Sequence, residues 1–394
     1  MTTKPDGTNW NLFFFGFFIA VYAAFLQFKL TPALPEMMQL YSYDPAVAGA
    51  FMSVYAIIGF FLSPLIGRWL SGQKVKQLIL AVLVCSFVAQ GVAIFASHSS
   101  VIMLASRTME AITFAVFAIG GPVIVGQAAS EKFRPLGIGI SSTWMPSGIL
   151  ISSVAYYWFA DDFGWSVLWY FGLAGALSLL LWTVLSNFNK PQAATTAGKP
   201  SLSLTKAEEI SLLLATSIFL LWSIQFNAYM TWFTTYVTDT LGYHPVDAVW
   251  VFMLPVIVII FANVPVGLAQ TTGRITLILL TVGLVIQALS WVLGLYKNET
   301  FQVIALIAYG IGAGIVPAAL FGCPKAIVGS EKYAMAFSQM MTGRYVGVFL
   351  GPILIGIAIR QDISWDLVMG IAAIMTAIPL IFAGLLYKRL YSRS

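Results

Sequence analysis

Long apolar stretches separated by short polar segments run along the whole chain. A helix needs about 20 mainly apolar residues to cross a bilayer, whereas barrel strands are about 10 residues of alternating polarity. Twelve stretches are long enough for a helical crossing, near 10–31, 45–67, 77–97, 101–126, 137–159, 166–187, 210–238, 248–268, 275–295, 300–325, 335–359 and 367–387. The pattern therefore predicts an all-α polytopic membrane protein.

One polar segment, 188–209, differs from the short polar breaks elsewhere. It is rich in Pro, Ser and Thr and carries several lysines, which is typical of a flexible linker. Six predicted crossings precede it and six follow, so both sets begin on the same side of the membrane. We expect an amino-terminal half at 1–187, a linker at 188–209 and a carboxy-terminal half at 210–394. The first crossing is too long for a signal-peptide core, so we expect it to be retained.

Composition supports the membrane assignment and excludes several classes of protein. Of the 394 residues, 9% are charged and 59% are hydrophobic, whereas a soluble protein has about 25% charged residues. Two cysteines exclude a disulfide scaffold, and a net charge of +5 without a basic block argues against nucleic-acid binding. The sequence contains no motif typical of a metal site, a nucleotide site or a channel filter, so we expect no cofactor and no enzyme activity.

The basic residues fix a predicted orientation. With the amino terminus inside, 14 of the 20 Lys and Arg residues fall in cytoplasmic segments and two, Lys297 and Arg360, fall outside. The positive-inside rule therefore predicts that both termini are cytoplasmic. We expect the chain to lie in the inner (plasma) membrane of the cell.

Parts of the sequence repeat at an offset of 200 residues. Ser130-Glu-Lys-Phe133 recurs as Ser330-Glu-Lys-Tyr333, and Gly67 recurs as Gly267. Two parallel repeats of six helices are one of the standard plans of secondary transporters, which bind substrate between the halves. The repeat thus predicts two similar halves.

In its architecture the chain resembles the major facilitator superfamily. The resemblance includes the central linker and the glycine-containing loops after the second and eighth crossings. The family's loop signature is roughly Gly-x-x-x-Asp-Arg-x-Gly-Arg-Arg. The corresponding segments here, Gly67-Arg-Trp-Leu-Ser-Gly-Gln-Lys-Val-Lys76 and Gly267-Leu-Ala-Gln-Thr-Thr-Gly-Arg274, keep a glycine and a basic end but lack the acidic residue. The resemblance implies transport by alternating access.

Five charged residues fall within predicted crossings: Lys29, Arg107, Glu110, Lys325 and Arg344. A charge at mid-membrane costs at least ~2.5–3.5 kcal/mol, so each is a candidate functional residue. In the family that the chain resembles, the third, sixth, ninth and twelfth helices face lipid, and none of the five charges lies on them. The resemblance therefore implies that these charges lie on helices that line or flank the cavity.

Glu110 and Arg107 are three residues apart and share one face of a helix. Burial favours the protonated form of a carboxyl group, and a nearby cation favours the ionised form. Glu110 is therefore a candidate proton-coupling site. A permanent Arg–Glu pair that only holds the helix in register is the alternative. For Arg107 we expect a role in substrate binding or coupling.

Arg344 has no acid in its own crossing. An unpaired arginine near the midplane must meet either Glu110 or an anionic ligand, and its planar group suits carboxylate or phosphate. We therefore predict a substrate-binding role. Lys29 and Lys325 are further substrate-binding candidates, although either side chain can instead extend to water at a membrane surface.

Neutral polar and aromatic residues cluster in the seventh crossing. Trp222, Asn227 and Tyr229 are substrate-binding candidates there, and Gln27 is the matching candidate in the first crossing. The offset of 200 pairs Gln27 with Asn227, which predicts that they face each other across the axis that relates the halves. Helix packing is the alternative explanation for the rings.

The sequence predicts a secondary active transporter, proton-coupled, that moves a small organic anion. Four cations and one acid within the membrane favour an anion. A proton-driven efflux pump for drugs or other amphipathic compounds is the alternative, because the crossings are rich in aromatic residues and Met. An intramembrane enzyme and a pore fit the sequence less well. The expected partners are a small-molecule substrate, protons and the lipid bilayer, with no nucleic acid, and the expected state is a monomer.

Overall fold

A computed structural model describes residues 7–70, 75–130, 133, 140–186, 204–269, 272–296, 298–328 and 332–391. Regular structure in these ranges is helical. In the first part of the chain the helices are α1 (Trp10–Phe28), α2 (Leu30–Tyr41), α3 (Pro45–Leu70), α4 (Val75–Ala96), α5 (Ser100–Ala128), α6 (Trp144–Phe163) and α7 (Val167–Leu185). In the second part they are α8 (Lys206–Leu241), α9 (Pro245–Ala269), α10 (Gly273–Gly294), α11 (Glu299–Val328), α12 (Tyr333–Arg360) and α13 (Trp365–Tyr391).

Eleven segments of the described chain are long and apolar enough to cross a membrane. One of them, Trp144–Leu185, has 42 residues, which is enough for two crossings. It turns at Gly164, whose φ of +60° ends α6 and which begins a short 3-10 turn before α7. Glycine adopts this backbone conformation without strain. The prediction of twelve crossings in an all-α fold is confirmed.

The first crossing is built from α1 and α2 together, and Lys29 lies at their junction. Pro32 has no N–H group and cannot donate to the carbonyl of Phe28, so the helical hydrogen-bond ladder is interrupted there. Pro35 in the same way leaves the carbonyl of Thr31 without its usual helical donor. The junction therefore leaves buried backbone carbonyls without their usual helical donors.

Helix α8, which forms the seventh crossing, begins at Lys206, before the predicted start near 210. The side chain of Thr205 accepts a hydrogen bond from the N–H of Glu208, and the carboxylate of Glu208 accepts one from the N–H of Thr205. This capping box satisfies backbone donors at the start of α8. Residues 206–209 therefore belong to the helix, while 188–203 lie outside the described residues and the proposed linker stays a prediction.

The two parts of the chain have the same local geometry at the turn that follows their first crossing. Ser42 ends α2 and Gly242 ends α8, both with a left-handed backbone, and a proline opens the next helix in each case. Ser42 and Gly242 are 200 residues apart. The repeat seen in the sequence is thus present in the fold, although half of the residues of the repeated tetrapeptides lie outside the described residues.

Helices α1–α7, the amino-terminal helices, pack mainly with one another, as do the carboxy-terminal helices α8–α13. The principal contacts between the two sets join α3 to α12, α6 to α9, and α2 to α8 and α9. We call the end of the bundle that holds the start of α1 and the end of α13 the terminal end, and the opposite end the far end. Because α2 makes these contacts and α1 does not, the two sets meet closest at the far end.

Glycines allow this close approach between α3 and α12. A Cβ atom on Gly49 would overlap the carbonyl of Pro352, and one on Gly356 would overlap the carbonyl of Pro45. Nearby, the hydroxyl of Ser53 donates to the carbonyl of Phe349 at 2.6 Å. Backbone contact of this kind requires small residues. Gly49 of α3 and Gly356 of α12 thus help to hold the far end closed.

Two threonines join the first and seventh crossings at the same level. The hydroxyl of Thr31 donates to the carbonyl of Met230 at 2.6 Å, and the hydroxyl of Thr234 donates to the carbonyl of Thr31 at 2.7 Å. The carbonyl of Thr31 is the one that Pro35 leaves without a helical donor. A proline in α2 therefore creates the acceptor that binds the carboxy-terminal helices.

Candidate functional site

Three charged side chains meet in the interior of the amino-terminal helices. Nζ of Lys29 lies 2.6 Å from Oε1 of Glu110, and Nη1 of Arg107 lies 2.6 Å from Oε2 of the same carboxylate. All three side chains are completely buried, with 0% exposure. The structure thus brings together three of the five intramembrane charges that the sequence singled out, and we call them the ion cluster.

Neutral side chains complete the ion cluster. The hydroxyl of Tyr55 in α3 donates to Oε2 of Glu110 at 2.9 Å, and Lys29 also donates to Oε1 of Gln90 at 3.0 Å. The ammonium group of Lys29 lies 4.4 Å from the ring centre of Trp169 in α7. Cation–π and hydrogen-bond contacts replace part of the lost hydration of the buried charge. The cluster therefore connects five of the amino-terminal helices.

Arg107 binds backbone as well as carboxylate. Its guanidinium donates to the carbonyls of Leu26 and Gln27, both at 2.7 Å, and its Nε donates to the carbonyl of Phe51 at 3.3 Å. Only a planar group with several fixed donors can satisfy these acceptors together. Arg107 therefore ties α5 to the first and second crossings in this conformation.

The ion cluster has two cations and one carboxylate. Burial of an incompletely compensated charge is costly, so the position of each cation determines whether Glu110 can stay ionised at low cost. If the cations moved away, uptake of a proton by Glu110 would remove the cost of an uncompensated buried carboxylate. The arrangement is chemically suited to linking proton exchange to helix movement.

Arg344 lies on a different helix and does not meet Glu110. On α12, Gly343 and Gly347 pack against α8, while the neighbouring Tyr345 packs against Gly59 of α3. Helical periodicity places Arg344 between these two contact faces, opposite the exposed residues Thr342 and Val346. Arg344 therefore lies on the strip of α12 that faces the space between the two sets of helices.

Arg344 as a whole residue is half-buried. In the part of the chain that the structure describes, its guanidinium forms no ion pair, and the guanidinium carbon lies 5.8 Å from the centre of the Tyr345 ring. An arginine in a low-dielectric region without an anionic partner is unfavourable. The site therefore has an unsatisfied preference for a negative charge.

The other predicted residues lie at several levels. Gln27 is buried and its Oε1 has no partner among the described residues, while Nδ2 of Asn227 donates to the carbonyl of Ser223 at 2.9 Å. Gln27 lies four residues before Thr31, and Asn227 lies three residues before Met230. Each is therefore about one helical turn closer to the terminal end than the contact between Thr31 and Met230. Lys325 is exposed, three residues from the terminal end of α11.

Trp222 and Tyr229 do not face the axis between the two sets. Nε1 of Trp222 donates to Oε1 of Gln287 in α10 at 2.8 Å, and the ring of Tyr229 stacks on Tyr309 in α11 at 3.9 Å. Tyr22, which is 200 residues before Trp222, binds Gln90 in the equivalent way, since Nε2 of Gln90 donates to its hydroxyl at 3.0 Å. Both pairs thus belong to the interiors of their own helix sets.

Sequence reasoning missed Tyr55, Gln90 and Gln287. A signal was present for the two glutamines, since each is the one amide in the interior of a long apolar crossing, and they lie 197 residues apart. Tyr55 had no such signal, because a tyrosine in an apolar crossing is common in helix packing. Only the crossing of α3 over α5 reveals its contact with Glu110.

The sequence matches the family model of the Major Facilitator Superfamily over residues 13–352. The chain therefore belongs to the Major Facilitator Superfamily and is a multi-pass membrane transporter. No curated protein matches its sequence. The recognition of this family from the sequence is confirmed.

Solved structures of transporters have the same fold. A bacterial homologue of the human lysosomal transporter Spinster, in an inward-facing and unoccupied conformation, has a TM-score of 0.75 at 16% identity, over 98% of this chain and 99% of that one. The nucleoside transporter NupG gives 0.73 at 16%, over 96% and 99%. The human organic anion transporter MFSD10 gives 0.71 at 14%, over 97% and 100%. At these identities the likeness concerns the fold.

Proposed function

We propose that the protein is a secondary active transporter that moves a small organic anion by alternating access, coupled to protons. It would act in the inner (plasma) membrane with both termini in the cytoplasm, as the distribution of basic residues indicates. In that orientation the terminal end is cytoplasmic, and closure at the far end corresponds to a conformation that opens inward. The two sets of helices would be the two moving halves.

The observation that supports an anion is the position of Arg344. Arg344 is a half-buried residue on the strip of α12 that faces the space between the halves, and its guanidinium has no acidic partner among the described residues. Arginine binds carboxylate and phosphate through two parallel hydrogen bonds. An anionic substrate would supply the charge that Arg344 lacks.

Neutral groups near the closed far end would orient the rest of the substrate. Gln27 has a buried amide oxygen without a partner among the described residues, and Asn227 lies at a similar level on α8. A few convergent polar groups in a mainly apolar cavity are typical of small-molecule sites. We propose that Gln27 and Asn227 contact the substrate and that Lys325, exposed at the terminal end, attracts anions to the entrance.

The ion cluster would carry the proton coupling. Glu110 is held by Lys29, Arg107 and Tyr55 when the far end is closed. Because Lys29 and Tyr55 lie on other helices than Glu110, a movement of either helix relative to α5 changes the compensation of the carboxylate. We propose that Glu110 takes up and releases a proton as the conformations exchange, while Lys29 and Arg107 act on substrate binding through this cluster.

A thermal-shift screen of the purified protein tests the substrate class. The panel contains organic carboxylates, organic phosphates, sugars, amino acids and lipophilic cations, because any ligand that binds the folded state raises its melting temperature. We expect anions to stabilise the wild type and to lose that effect in Arg344→Gln. Stabilisation by an anion to the same extent in Arg344→Gln would disprove the proposed site.

Efflux of drugs or other amphipathic compounds is the second candidate function. The observation that favours it is the concentration of aromatic side chains inside the carboxy-terminal helices, including the stacked Tyr229 and Tyr309. The same screen separates the two functions. Stabilisation by lipophilic cations, equal in wild type and Arg344→Gln, would favour efflux.

A further inference from the structure

A cavity lies inside the carboxy-terminal helices, away from Arg344. It runs from residues at the far end, such as Leu241 and Trp365, down to Gln225 in the middle of α8. The 16 residues from Gln225 to Leu241 correspond to a depth of about 24 Å at 1.5 Å per residue. Its empty volume is about 880 Å³ with the open mouth included.

Aromatic rings form the walls of this cavity. Tyr229 and Tyr309 stack at 3.9 Å, and the ring of Trp291 stands edge-on to both, at 5.9 and 5.5 Å. Closer to the mouth, Tyr236 meets Trp365 at 5.5 Å. Flat ring faces favour a flat apolar or aromatic ligand.

Three residues that line the cavity each have a buried polar group without a partner among the described residues. These groups are the hydroxyl of Tyr229, Nε1 of Trp291 and Nε2 of Gln225, on side chains with 9%, 9% and 1% exposure. All three can donate a hydrogen bond. Buried donors without an acceptor are rare in folded proteins, so their convergence on one cavity indicates a ligand that accepts hydrogen bonds.

The cavity has no charged residue among the described residues that line it. A charged ligand would therefore lose its hydration without compensation. This property separates the cavity from the proposed anion site, where Arg344 supplies a cation. The ligand must be uncharged.

The amino-terminal helices show why the space exists. Lys29 stands 200 residues before Tyr229, and Glu110 stands 200 residues before Gly310. In the amino-terminal set the ion cluster fills the interior, with Lys29 reaching Gln90, Glu110 and Trp169. In the carboxy-terminal set these charges are replaced by a tyrosine and a glycine, and the described residues that line the cavity all belong to this half.

We propose that this cavity is a second ligand site, for an uncharged, mainly aromatic molecule that carries a hydrogen-bond acceptor such as a carbonyl oxygen. Tyr229, Trp291 and Gln225 donate to the acceptor, and Tyr309 and Trp365 hold the ring system. The site lies within one half, whereas the proposed anion site lies between the halves. A ligand can therefore occupy it independently of the transported anion.

Binding of coumarin, a flat and neutral lactone, tests the proposal. The purified protein in lipid nanodiscs is equilibrated with radiolabelled coumarin, and empty nanodiscs measure partition into lipid. We expect saturable binding to the wild type, at least tenfold weaker binding to Ala305→Trp, whose added ring fills the cavity, and about two- to tenfold weaker binding to Tyr229→Phe, which loses one neutral hydrogen bond. Arg344→Gln should bind coumarin as the wild type does.

Two results would overturn the second site. One is the absence of saturable binding above empty nanodiscs. The other is equal binding to the wild type and to the filled variant, because the probe would then lie elsewhere. If Ala305→Trp does not fold, Ala372→Leu on α13 narrows the same cavity with a smaller change, and the same comparison applies. Because Arg344→Gln is measured in parallel, failure of the anion site and failure of this cavity are distinguishable.

Discussion

Lys29 and Glu110 form an ion pair with 2.6 Å between Nζ and Oε1, and neither side chain is exposed to solvent. Lys29 lies at the junction of α1 and α2, where Pro32 interrupts the helical ladder, and Glu110 lies on α5. The pair thus fixes the most irregular point of the first crossing to another helix. Its strength determines how freely that crossing can bend.

Breaking the ion cluster should be costly. Removal of one partner from a buried pair leaves an uncompensated charge and typically costs about 3–5 kcal/mol. We expect Glu110→Gln, which leaves two buried cations, to lower the free energy of unfolding by a large amount. Lys29→Met, which leaves Glu110 paired with Arg107, should lower it less, and the double variant should lose less than the sum of the two. Chemical unfolding in mixed micelles and a double-mutant cycle measure this coupling.

The pair between Lys332 and Glu208 is the matched control. Its atoms are 2.9 Å apart, but the side chains are 18% and 20% exposed at the terminal end. Ion pairs of this kind contribute about 0.2–1 kcal/mol. Equal coupling energies for the buried and the exposed pair would contradict the structural role given to the ion cluster.

Arg107→Lys separates charge from geometry. The substitution keeps a cation near Glu110 but cannot serve the carbonyls of Leu26 and Gln27 at the same time. We expect a loss of about 1–3 kcal/mol in the free energy of unfolding, as for buried acceptors left without donors. A variant as stable as the wild type would show that the positive charge alone accounts for the contribution of Arg107 to stability.

Gly49 controls closure at the far end. A methyl group there would overlap the carbonyl of Pro352, so Gly49→Ala should separate α3 from α12. The measurement uses a short bifunctional thiol reagent between Asp44→Cys and Arg360→Cys, which replace a pair 3.5 Å apart, in a background without Cys85 and Cys323. We expect several-fold less cross-linking in Gly49→Ala.

Gly91 provides the control for this substitution. A Cβ atom there meets nothing within 4 Å, so Gly91→Ala should leave cross-linking unchanged. A Gly49→Ala variant that cross-links as well as Gly91→Ala would mean that the α3–α12 contact does not limit opening.

Pro35 should act on the same closure through hydrogen bonding. Pro35→Ala restores a backbone donor for the carbonyl of Thr31, which would then compete with the hydroxyl of Thr234. We expect Pro35→Ala and Thr234→Val to reduce cross-linking in the same direction, and the double variant to add little. Additive effects would show that the proline acts in another way.

The fold was predictable because membrane crossings are long and their hydrophobicity is continuous. The break at Gly164 and the start of α8 near Lys206 show the limit of that signal, since turn and cap geometry decide helix ends. The sequence also indicated that Arg107 and Glu110 are close, because a helix brings residues three apart together.

The rest of the site depends on how the helices cross. Lys29 is 81 residues from Glu110 in the chain, and only tertiary packing shows that they pair. Packing also turns Trp222 and Tyr229 into the interior of the carboxy-terminal helices, although their offset of 200 from Tyr22 and Lys29 was visible in the sequence. A repeat in the sequence shows which residues are equivalent but does not show which direction they face.

The most direct test of the proposed function is uptake into proteoliposomes driven only by a pH gradient, with the anion that gives the largest thermal shift. The account predicts accumulation by the wild type, no uptake by Arg344→Gln, and exchange without accumulation by Glu110→Gln, which also shows that this variant folds. Accumulation by Arg344→Gln would contradict the anion site. Accumulation by Glu110→Gln at the wild-type level would contradict proton coupling through Glu110.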